Sequence, residues 1–427
     1  MNQTWFSSAN RLAQWLFDGN YRDQMNTYNA TPTNTMSFAT TGYLNQALQF
    51  ASNGNVMLNI PYIPLSSTSF TIDVWLYVTG LVNINDNAIF GYCYQTVMYK
   101  CLHLTFRLSG SNYHLYFGFF HADCEGVTSI ILNTWMHVAF VFDMTTLTQR
   151  IYLNGVLENS CTQSSAVTAS PTGITIGFLP SFVSVAYFQG YMDQMTVSNR
   201  AKSACEVLEV ATLVGLFTFD TGSFLIDSGP NSLAAATRST SSISSGRYAQ
   251  AIAFNGSNSS YYQISGFLSL GVSSKPFSIS LWVRPSILLG VVVHVSAWSS
   301  GSGWCIPFLG FSSNGSLLAQ VYDGTGSVSV SNGNLSLSTS VWSHVVQTYS
   351  ATNGLRLYVN NVLVGSQSTT YIVTSAPLYV TLGNALSGAG ACILGQVNRS
   401  PYKGDIDDFR VYSRELSAND VFILYTN

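Results

Sequence analysis

Charge is what this sequence has least of. Asp, Glu, Lys and Arg make up 8% of its 427 residues, against about a quarter of a typical soluble protein. Only four of them are lysines, and no basic run occurs, which excludes the electrostatic footprint of a nucleic-acid or anionic-membrane partner. The net charge is −3. Disorder is excluded as well, because disordered chains combine low hydrophobicity with high net charge.

Long apolar runs are also missing. The longest, residues 287–295, is far too short to span a membrane. Residues 1–10 lack the apolar core of a signal peptide, so we expect a mature or internal fragment, or a chain without its export signal. Helical periodicity is almost absent, which leaves an all-β fold.

Metal and redox cysteine motifs are missing too, since no C-x-x-C pair and no Cys/His cluster with zinc spacing occurs. The second half holds two cysteines, Cys305 and Cys392, which either pair or stay free. The first half holds five, which permits two bridges and one leftover. Together with the sequons described below, this number favours an oxidising, extracellular compartment. The first-half cysteines are Cys93, Cys101, Cys124, Cys161 and Cys205.

What the sequence does contain is an internal repeat. Residues 135–143 and 151–157 are two runs rich in β-branched and aromatic residues, and residues 342–349 and 357–363 repeat them. Each second run contains Asn154-Gly155 or Asn360-Asn361. Gly and Asn tolerate the positive φ of a tight reversal, so we predict that a third strand begins at Val156 and at Val362.

The repeat extends over the whole chain at an offset of about 200 residues. We predict two domains, residues 1–208 and 209–427, each an antiparallel β-sandwich of the jelly-roll type followed by a short helix. The helices are expected over residues 201–211 and 418–425. Ser417 is the predicted N-cap of the second helix.

The order of the repeated blocks resembles the laminin-G-like jelly rolls of the concanavalin A-like lectin/glucanase superfamily. The blocks are an opening Phe-Asp, an Asp-Ser-Gly-Pro-Asn turn at 227–231, Phe-x-Ile-x-x-Trp, Trp-x-His-Val, Leu-Tyr-Val-Asn-x-Val-Leu and the closing segment 404–417. The tandem arrangement also resembles secreted two-domain proteins of small aquatic invertebrates such as rotifers. The resemblance implies a two-sheet sandwich but no particular activity.

The resemblance also implies a structural Ca²⁺ near the opening Phe-Asp, the turn and the closing Ile-Asp. Carboxylate and carbonyl oxygens suit this hard cation. The alternative is that these aspartates accept hydrogen bonds from turn N–H groups. The matching residues are Asp220, Asp227, Asp407 and Asp408 in the second copy and Asp18, Asp23 and Asp193 in the first.

Hydrolysis of glycans requires two facing carboxylates, which the glucanase branch of the superfamily places two and four residues apart on one strand. None of the five glutamates lies on a predicted strand with a second carboxylate at that spacing, so we predict that the chain is not an enzyme. We expect Glu206 and Glu209 to be solvated on the first helix. The remaining glutamates are Glu125, Glu158 and Glu415.

Two histidines recur at the same position of the repeat, His137 and His344, each with apolar neighbours. We interpret them as sandwich-core histidines bonded to backbone, since catalysis does not require the duplication. His103, His114 and His121 lie in a stretch unique to the first copy. A metal site there has no spacing signature.

Exposed aromatic side chains are candidates for glycan binding. Trp298, Trp304 and Tyr322 lie in Gly/Ser-rich connections of the second copy, and Tyr92, Tyr94 and Tyr99 in the matching region of the first. The alternative is that they form the rim of the core. Trp304 in particular could pack on a disulfide at Cys305.

Sequons supply a second source of surface hydration. Some Asn-x-Ser/Thr matches arise by chance in a chain so rich in these residues, but in a secretory setting each would present a glycan. The seven sequons begin at Asn2, Asn29, Asn255, Asn258, Asn314, Asn334 and Asn398.

Position in the predicted strands gives the cysteine pairing. Cys93 and Cys101 flank a loop, and Cys124 and Cys161 lie beside strands expected to be neighbours. Cys205 then remains, and an odd cysteine in a secreted chain indicates a buried thiol or an intermolecular bridge.

Together these features predict a secreted, non-catalytic protein of the extracellular matrix or of adhesion. It would bind glycans or glycoproteins, or self-assemble into a filament through heterologous contacts. The alternative is a glycan-active enzyme of the glucanase type.

Overall fold

The computed structural model describes residues 10–51, 56–82, 86–93, 95–169, 173–180, 185–233, 237–239, 242–333, 335, 337–393 and 395–426. These residues form two compact units, 10–211 and 212–426, called the first and second domain below. Each is a sandwich of two β-sheets with a short helix, so the predicted fold class, two tandem jelly rolls, is confirmed. No helix in the described part of the chain is long and apolar enough to cross a membrane.

In the first domain, sheet A has the order β13-β12-β11-β6-β16-β4-β3, with β1 also paired to β16. Its strands are β1 (Arg11–Trp15), β3 (Ser37–Ala39), β4 (Ala47–Phe50), β6 (Phe70–Gly80), β11 (Trp135–Asp143), β12 (Thr148–Leu153), β13 (Val156–Thr162) and β16 (Gln189–Ser198). Sheet B has the order β10-β9-β8-β7-β14-β5-β2, with β15 paired to β7. Its strands are β2 (Thr31–Pro32), β5 (Leu58–Pro61), β7 (Asp86–Cys93), β8 (Cys101–Ser109), β9 (Asn112–Gly118), β10 (Asp123–Glu125), β14 (Gly173–Ile176) and β15 (Val185–Ala186).

In the second domain, sheet C has the order β19-β20-β31-β22-β27-β28-β29, with β17 also paired to β31. Its strands are β17 (Leu213–Phe217), β19 (Ser242–Ser245), β20 (Gln250–Asn255), β22 (Phe277–Pro285), β27 (Ser343–Ser350), β28 (Gly354–Val359), β29 (Val362–Gln367) and β31 (Lys403–Tyr412). Sheet D has the order β18-β21-β30-β23-β24-β25-β26. Its strands are β18 (Thr237–Ser239), β21 (Tyr261–Phe267), β23 (Gly290–Ser296), β24 (Cys305–Phe311), β25 (Leu317–Tyr322), β26 (Ser327–Ser331) and β30 (Leu378–Leu382).

One asparagine closes the turn in each copy of the repeated hairpin. Asn154 has φ 51° and Asn360 has φ 49°, and each side-chain Oδ1 accepts a hydrogen bond from the backbone N–H of His137 (2.9 Å) or His344 (2.8 Å). The asparagine thus closes the turn with its side chain as well as its backbone. The next strands, β13 and β29, begin at Val156 and Val362, as predicted.

Helices α1 (Ala204–Thr212) and α2 (Ala418–Thr426) follow the closing strand of each domain. The backbone N–H of Asp420 donates to the Ser417 hydroxyl, and the backbone N–H of Ser417 donates to Asp420. This reciprocal capping box confirms Ser417 as the N-cap.

The expectation that Glu206 and Glu209 are solvated is wrong. Glu206 is 8% exposed and Glu209 is 1% exposed. Glu206 caps α1 by accepting the Ser203 N–H, and it pairs with Arg200 at 2.8 Å. These contacts hold the pKa of Glu206 below its usual value, against the effect of its burial.

Successive side chains along each strand of sheet A point to opposite faces of the sheet. On β6, Phe70, Ile72 and Val74 point into the sandwich core, so the residues between them lie on the outer face. Helix α1 covers one part of that face, where Val207 packs against Ala139, Val141 and Tyr152. The part beyond the helix carries a groove.

Candidate functional site

The groove is organised by one row of side chains that crosses four neighbouring strands of sheet A. Trp135 on β11 pairs with Tyr77 on β6, Tyr77 pairs with Tyr191 on β16, and Tyr191 pairs with Gln49 on β4. Because each pairing is direct, the four side chains stand on the same face of the sheet. The ring centroids of Tyr77 lie 5.6 Å from Trp135 and 5.7 Å from Tyr191, both edge to face.

We call this feature the aromatic groove. Its volume is about 560 Å³, within the usual range for small-molecule sites. Among the residues that the structure describes, no Asp, Glu, Lys, Arg or His lines it, so its polarity comes from hydroxyl and amide groups. The lining residues are Ala39, Thr40, Thr41, Gln49, Tyr77, Thr79, Asn133, Trp135 and Tyr191.

One wall of the groove belongs to the segment 39–46, which two carboxylates hold. Asp193 Oδ2 accepts the backbone N–H of Leu44 at 2.9 Å, and Asp18 Oδ1 accepts that of Gln46 at 3.0 Å. Immediately before these anchored residues, Tyr43 stacks on Trp75 with a centroid distance of 3.4 Å. The acids therefore position the wall that carries Thr40 and Thr41.

Asp18 and Asp193 are also the residues that suit a cation in the first domain. Asp193 is fully buried, and its Oδ1 has no hydrogen-bond partner. Burial, together with the nearby charge of Asp18, raises the pKa of Asp193 well above its usual value. Burial also raises the pKa of Asp18. An orphaned buried carboxylate oxygen beside a second acid fits a hard cation such as Ca²⁺.

The second domain repeats this arrangement with more of its oxygens engaged. Asp220 Oδ1 accepts the N–H of Gln250, and Asp407 accepts the N–H groups of Tyr248 and Asp408. Burial raises the pKa of Asp407 to about 7. The Asp408 side chain forms two hydrogen bonds with Arg410, each 3.0 Å long, so it is committed to an ion pair.

The remaining two predicted calcium ligands act in turns. Asp23 accepts four backbone N–H groups, and Asp227 accepts three. Such contacts organise the opening turn of each domain. These hydrogen bonds are the ones expected of aspartates that accept turn N–H groups, and a metal-binding role for Asp23 and Asp227 stays a prediction.

The second domain carries different chemistry at the positions of the aromatic row. Arg284 takes the place of Tyr77 and Asp405 that of Tyr191, and they pair directly between β22 and β31. Arg284 Nε lies 2.9 Å from Asp405 Oδ2, and the guanidinium lies 4.8 Å from the Trp342 ring centroid. The Ser244 hydroxyl donates to Asp405 at 2.7 Å. A satisfied ion pair thus fills the position of the first domain's aromatic rings.

A laminin G family model, described as the concanavalin A-like lectin/glucanases superfamily, matches residues 45–208 and 255–422. The chain belongs to this superfamily. No curated protein sequence matches it significantly.

Several solved structures share features of the fold. Domain 4 of an extracellular GH43 arabinanase from Geobacillus stearothermophilus, solved with arabinotriose, is 20% identical with a TM-score of 0.39, over 47% of this chain and 98% of its own. Domains LG4-5 of mouse laminin alpha1 are 15% identical with a TM-score of 0.29, over 90% and 96%. An SAP-like pentraxin from Limulus polyphemus is 16% identical with a TM-score of 0.29, over 41% and 81%. Similarities this low carry no argument about function.

The aromatic residues predicted to bind glycans lie in the second laminin-G-like domain, whereas the groove belongs to the first. Trp298 is 64% exposed. Trp304 packs edge-on against the buried Tyr371 at 6.1 Å, which is a rim-of-core position. The Tyr322 hydroxyl donates to the Gly324 carbonyl at 2.7 Å. Trp298 therefore remains the most accessible of the three, and its glycan-binding role stays a prediction.

In the first domain, Tyr92 is buried and Tyr99 packs against the core, while Tyr94 lies outside the described residues. Sequence reasoning missed Tyr77, Trp135, Tyr191 and Gln49. The available signal was that three of them are aromatic and the fourth is a glutamine, each in the outward phase of a strand. Their convergence depends on strand order, which the sequence pattern does not give.

The interpretation of His137 and His344 as core histidines bonded to backbone is wrong. Both are buried, but they lie on the outer faces of sheets A and C. His344 Nε2 is 2.9 Å from the Ser280 hydroxyl, and the His137 ring packs against Trp75 at 5.3 Å. Their backbone N–H groups donate to the side-chain Oδ1 atoms of Asn154 and Asn360.

The other three histidines have separate neighbours. His103 Nε2 lies 4.0 Å from Asp123, and His114 Nδ1 lies 3.1 Å from Glu125. The His121 ring contacts Phe120 at 4.5 Å. Burial lowers the pKa of His103 to about 4.

The prediction that no glutamate shares a strand with a second nearby carboxylate is wrong. Glu125 and Asp123 both lie on β10, two residues apart, so their side chains share a face. The strand was missed because it has only three residues. Each carboxylate has a histidine neighbour, and neither lines the aromatic groove.

The cysteines form three bridges among the described residues. They are Cys93–Cys101, Cys124–Cys161 and Cys305–Cys392. Cys205 is an exposed thiol, so of the two predicted states the buried thiol is wrong. The intermolecular bridge stays a prediction.

Five of the sequons lie in the described chain. Asn29, Asn255, Asn258 and Asn314 are exposed, and Asn398 is partly exposed. Asn2 and Asn334 lie outside the described residues. Surface position is what attachment of a glycan requires.

Proposed function

We propose that this chain is a secreted, non-catalytic protein of the extracellular matrix or of adhesion, and that its first domain binds glycans in the aromatic groove. The observation that carries the proposal is the row formed by Trp135, Tyr77 and Tyr191, bordered by hydroxyl and amide groups. Aromatic faces cover the apolar faces of sugar rings, while neutral polar groups exchange hydrogen bonds with sugar hydroxyls. Superfamily membership is consistent with this role but does not assign it.

Secretion is supported by the three disulfides, which persist in oxidising compartments. The exposed sequons support it as well. The resemblance to secreted two-domain invertebrate proteins is part of the same proposal. Cleavage of the purified native protein with an N-glycosidase, followed by intact-mass measurement, tests it, because a cytosolic protein would show no mass loss.

The non-catalytic role is supported by the composition of the groove, since no carboxylate lines it. Glycoside hydrolysis requires an acid and a base or nucleophile at the scissile bond. Incubation with β-glucan oligosaccharides and analysis of the products tests this, and turnover that is lost on Glu125→Gln would establish the enzyme alternative.

The test of glycan binding compares two tryptophans at equivalent positions of the repeat. On a glycan array, Trp135→Ala should lose the signal of the unmodified chain, because it removes the end of the aromatic row. Trp342→Ala should retain it, because Trp342 packs against the Arg284–Asp405 ion pair. Binding that survives Trp135→Ala, or no binding at all, would overturn the proposal.

The proposal includes a structural Ca²⁺ in the first domain, with Asp18 and Asp193 as carboxylate ligands. Support comes from the buried Asp193 Oδ1 without a hydrogen-bond partner. Such an ion would neutralise both acids and fix segment 39–46 beside the groove.

Self-assembly is a second candidate, with another copy of this chain as the partner. Its support is β29 (Val362–Gln367), an edge strand of sheet C that contains no charged residue and exposes Val362 and Leu363. Uncharged edges favour strand-to-strand pairing. Sedimentation velocity over a range of concentrations tests this, and Val362→Lys should abolish any larger species. A monomer at every concentration would exclude self-assembly.

A further inference from the structure

We propose that the aromatic groove selects an uncharged, unbranched oligosaccharide that lies across the strands of sheet A, with about one sugar unit on each strand. This inference rests on the proposed glycan-binding function and specifies the class of glycan. The geometry of the aromatic row indicates the direction and the length of the bound oligosaccharide. The residues that line the groove indicate that the oligosaccharide is uncharged and unbranched.

The direction follows from the strand pairing. Trp135, Tyr77 and Tyr191 occupy directly paired positions on β11, β6 and β16, so the three rings succeed one another perpendicular to the strands. Adjacent strands are separated by about 4.8 Å, which is comparable to the length of one pyranose unit in a linear chain. Three successive rings therefore offer three successive contact sites.

The row ends in a polar group. Gln49 follows Tyr191 on β4, and its Oε1 accepts the hydroxyl of Ser37 at 2.8 Å. That bond fixes the amide, so its Nε2 group is the end that can donate to a ligand. A fourth sugar unit would meet this donor instead of an aromatic ring, so affinity should rise steeply over three units and little beyond.

Charged sugars are disfavoured because the described residues that line the groove offer them no oppositely charged side chain. All nine side chains around the groove are uncharged at neutral pH. A carboxylate or sulfate group held there would lose part of its hydration and gain no cation in return. In the second domain, the equivalent positions carry Arg284 and Asp405, but their pairing at 2.9 Å already satisfies both groups.

The walls favour an unbranched chain. Thr40 and Thr41 line one side, and Asn133 lines another. The backbone N–H of Asn133 donates to the Val78 carbonyl at 2.8 Å, which anchors that side to the sheet. Branches at each unit would have to pass these walls.

The experiment is calorimetric titration of the full chain with cello-, xylo- and N-acetylchito-oligosaccharides of one to six units, with heparin oligosaccharides and sialyllactose as charged probes. At least one neutral series should gain about fivefold in affinity per unit up to three units, the effect of one aromatic contact, and then level off. Binding should be the same in 50 mM and 500 mM NaCl, because no ion pair contributes.

Two variants locate the subsites. Tyr191→Ala should shorten the length dependence by one unit. Tyr77→Arg/Tyr191→Asp, which imports the pair of the second domain, should abolish binding with little change in the melting temperature. Salt-sensitive binding of heparin or sialyllactose that Trp135→Ala removes would overturn this inference and leave the glycan-binding function intact, as would equal affinity for one and three units. Absence of binding by every probe and every array glycan would overturn both.

Discussion

Lys202 places its Nζ 2.5 Å from Oδ2 of Asp73, and both side chains are buried on the outer face of sheet A. Asp73 is 3% exposed and Lys202 is 7% exposed. Against the opposing effect of burial, Lys202 lowers the pKa of Asp73 to about 2. The pair joins the segment that leads into helix α1 to the centre of the sheet. In the second domain the corresponding residues are Ser280 and Leu416, so this ion pair belongs to one copy of the repeat.

We predict that Asp73→Asn destabilises the first domain by about 3–5 kcal/mol, because it leaves the Lys202 ammonium buried without a counter-charge. The double variant Asp73→Ser/Lys202→Leu, which copies the second domain, should recover most of that loss. Urea unfolding followed by hydrogen exchange of β6 peptides measures both. A double variant as unstable as Asp73→Asn would contradict the explanation.

Two buried histidines should each contribute stability to the second domain that is lost in acid. Burial lowers the pKa of His344 to about 3 and that of His294 to about 4, whereas an unfolded histidine titrates near 6.5. Below that pH the unfolded chain gains protons that the folded histidines do not take up, so the contribution of these two histidines is complete above about 6.5 and falls as the pH drops toward 4. Asp407 and Asp227 act in the opposite direction, because burial raises their pKa values to about 7 and about 6, so the folded domain binds protons there that the unfolded chain does not.

Each histidine should contribute a slope of about 1.4 kcal/mol per pH unit within this window. Exchange of β24 and β27 peptides between pH 6.5 and 4.5 measures it. His344→Gln should lower the measured slope by about 1.4 kcal/mol per pH unit, and His114→Gln, a partly exposed histidine in the first domain, should not affect it. An unchanged slope in His344→Gln would refute the assignment.

Local sequence patterns were sufficient for the two repeated hairpins and for the start of the second helix. The asparagines at 154 and 360 define both hairpins because the turn needs only neighbouring residues, and Ser417 defines a helix start for the same reason. The second domain's Asp227 turn was recognisable on similar grounds.

Local sequence patterns could not predict the aromatic groove. Gln49, Tyr77, Trp135 and Tyr191 are distant in sequence and meet only because the strand order is β11-β6-β16-β4. The burial of Glu206 was not predicted because its contacts depend on where α1 begins. The helix was predicted from residue 201, but it begins at Ala204. Glu206 therefore accepts the Ser203 N–H at the helix start and pairs with Arg200.

The three disulfides should differ in their effect on stability. Their sequence separations are 8, 37 and 87 residues for Cys93–Cys101, Cys124–Cys161 and Cys305–Cys392. Loop-closure entropy then gives about 2.5, 3.8 and 4.6 kcal/mol. Urea unfolding of the three paired Cys→Ser variants measures the order, with Cys205→Ser as the control without a bridge. A loss for Cys93–Cys101 equal to that for Cys305–Cys392 would contradict the entropic account.

Calcium should stabilise the first domain selectively. A ligand that binds only the folded state at 100 times its Kd adds about 2.7 kcal/mol of stability, and the orphaned Oδ1 of Asp193 marks where the ion would bind. Adding CaCl₂ after EDTA dialysis should slow hydrogen exchange in segment 39–46 and raise the urea midpoint of the first domain.

Asp193→Asn should remove this response, whereas Asp407→Asn should retain it, because the Asp407 oxygens already accept backbone N–H groups. MgCl₂ is the matched salt control, since Mg²⁺ demands near-octahedral geometry and gives up its hydration water reluctantly, so a buried carboxylate oxygen suits it poorly. If Asp193→Asn responds to CaCl₂ as the unmodified chain does, these two acids do not hold the ion.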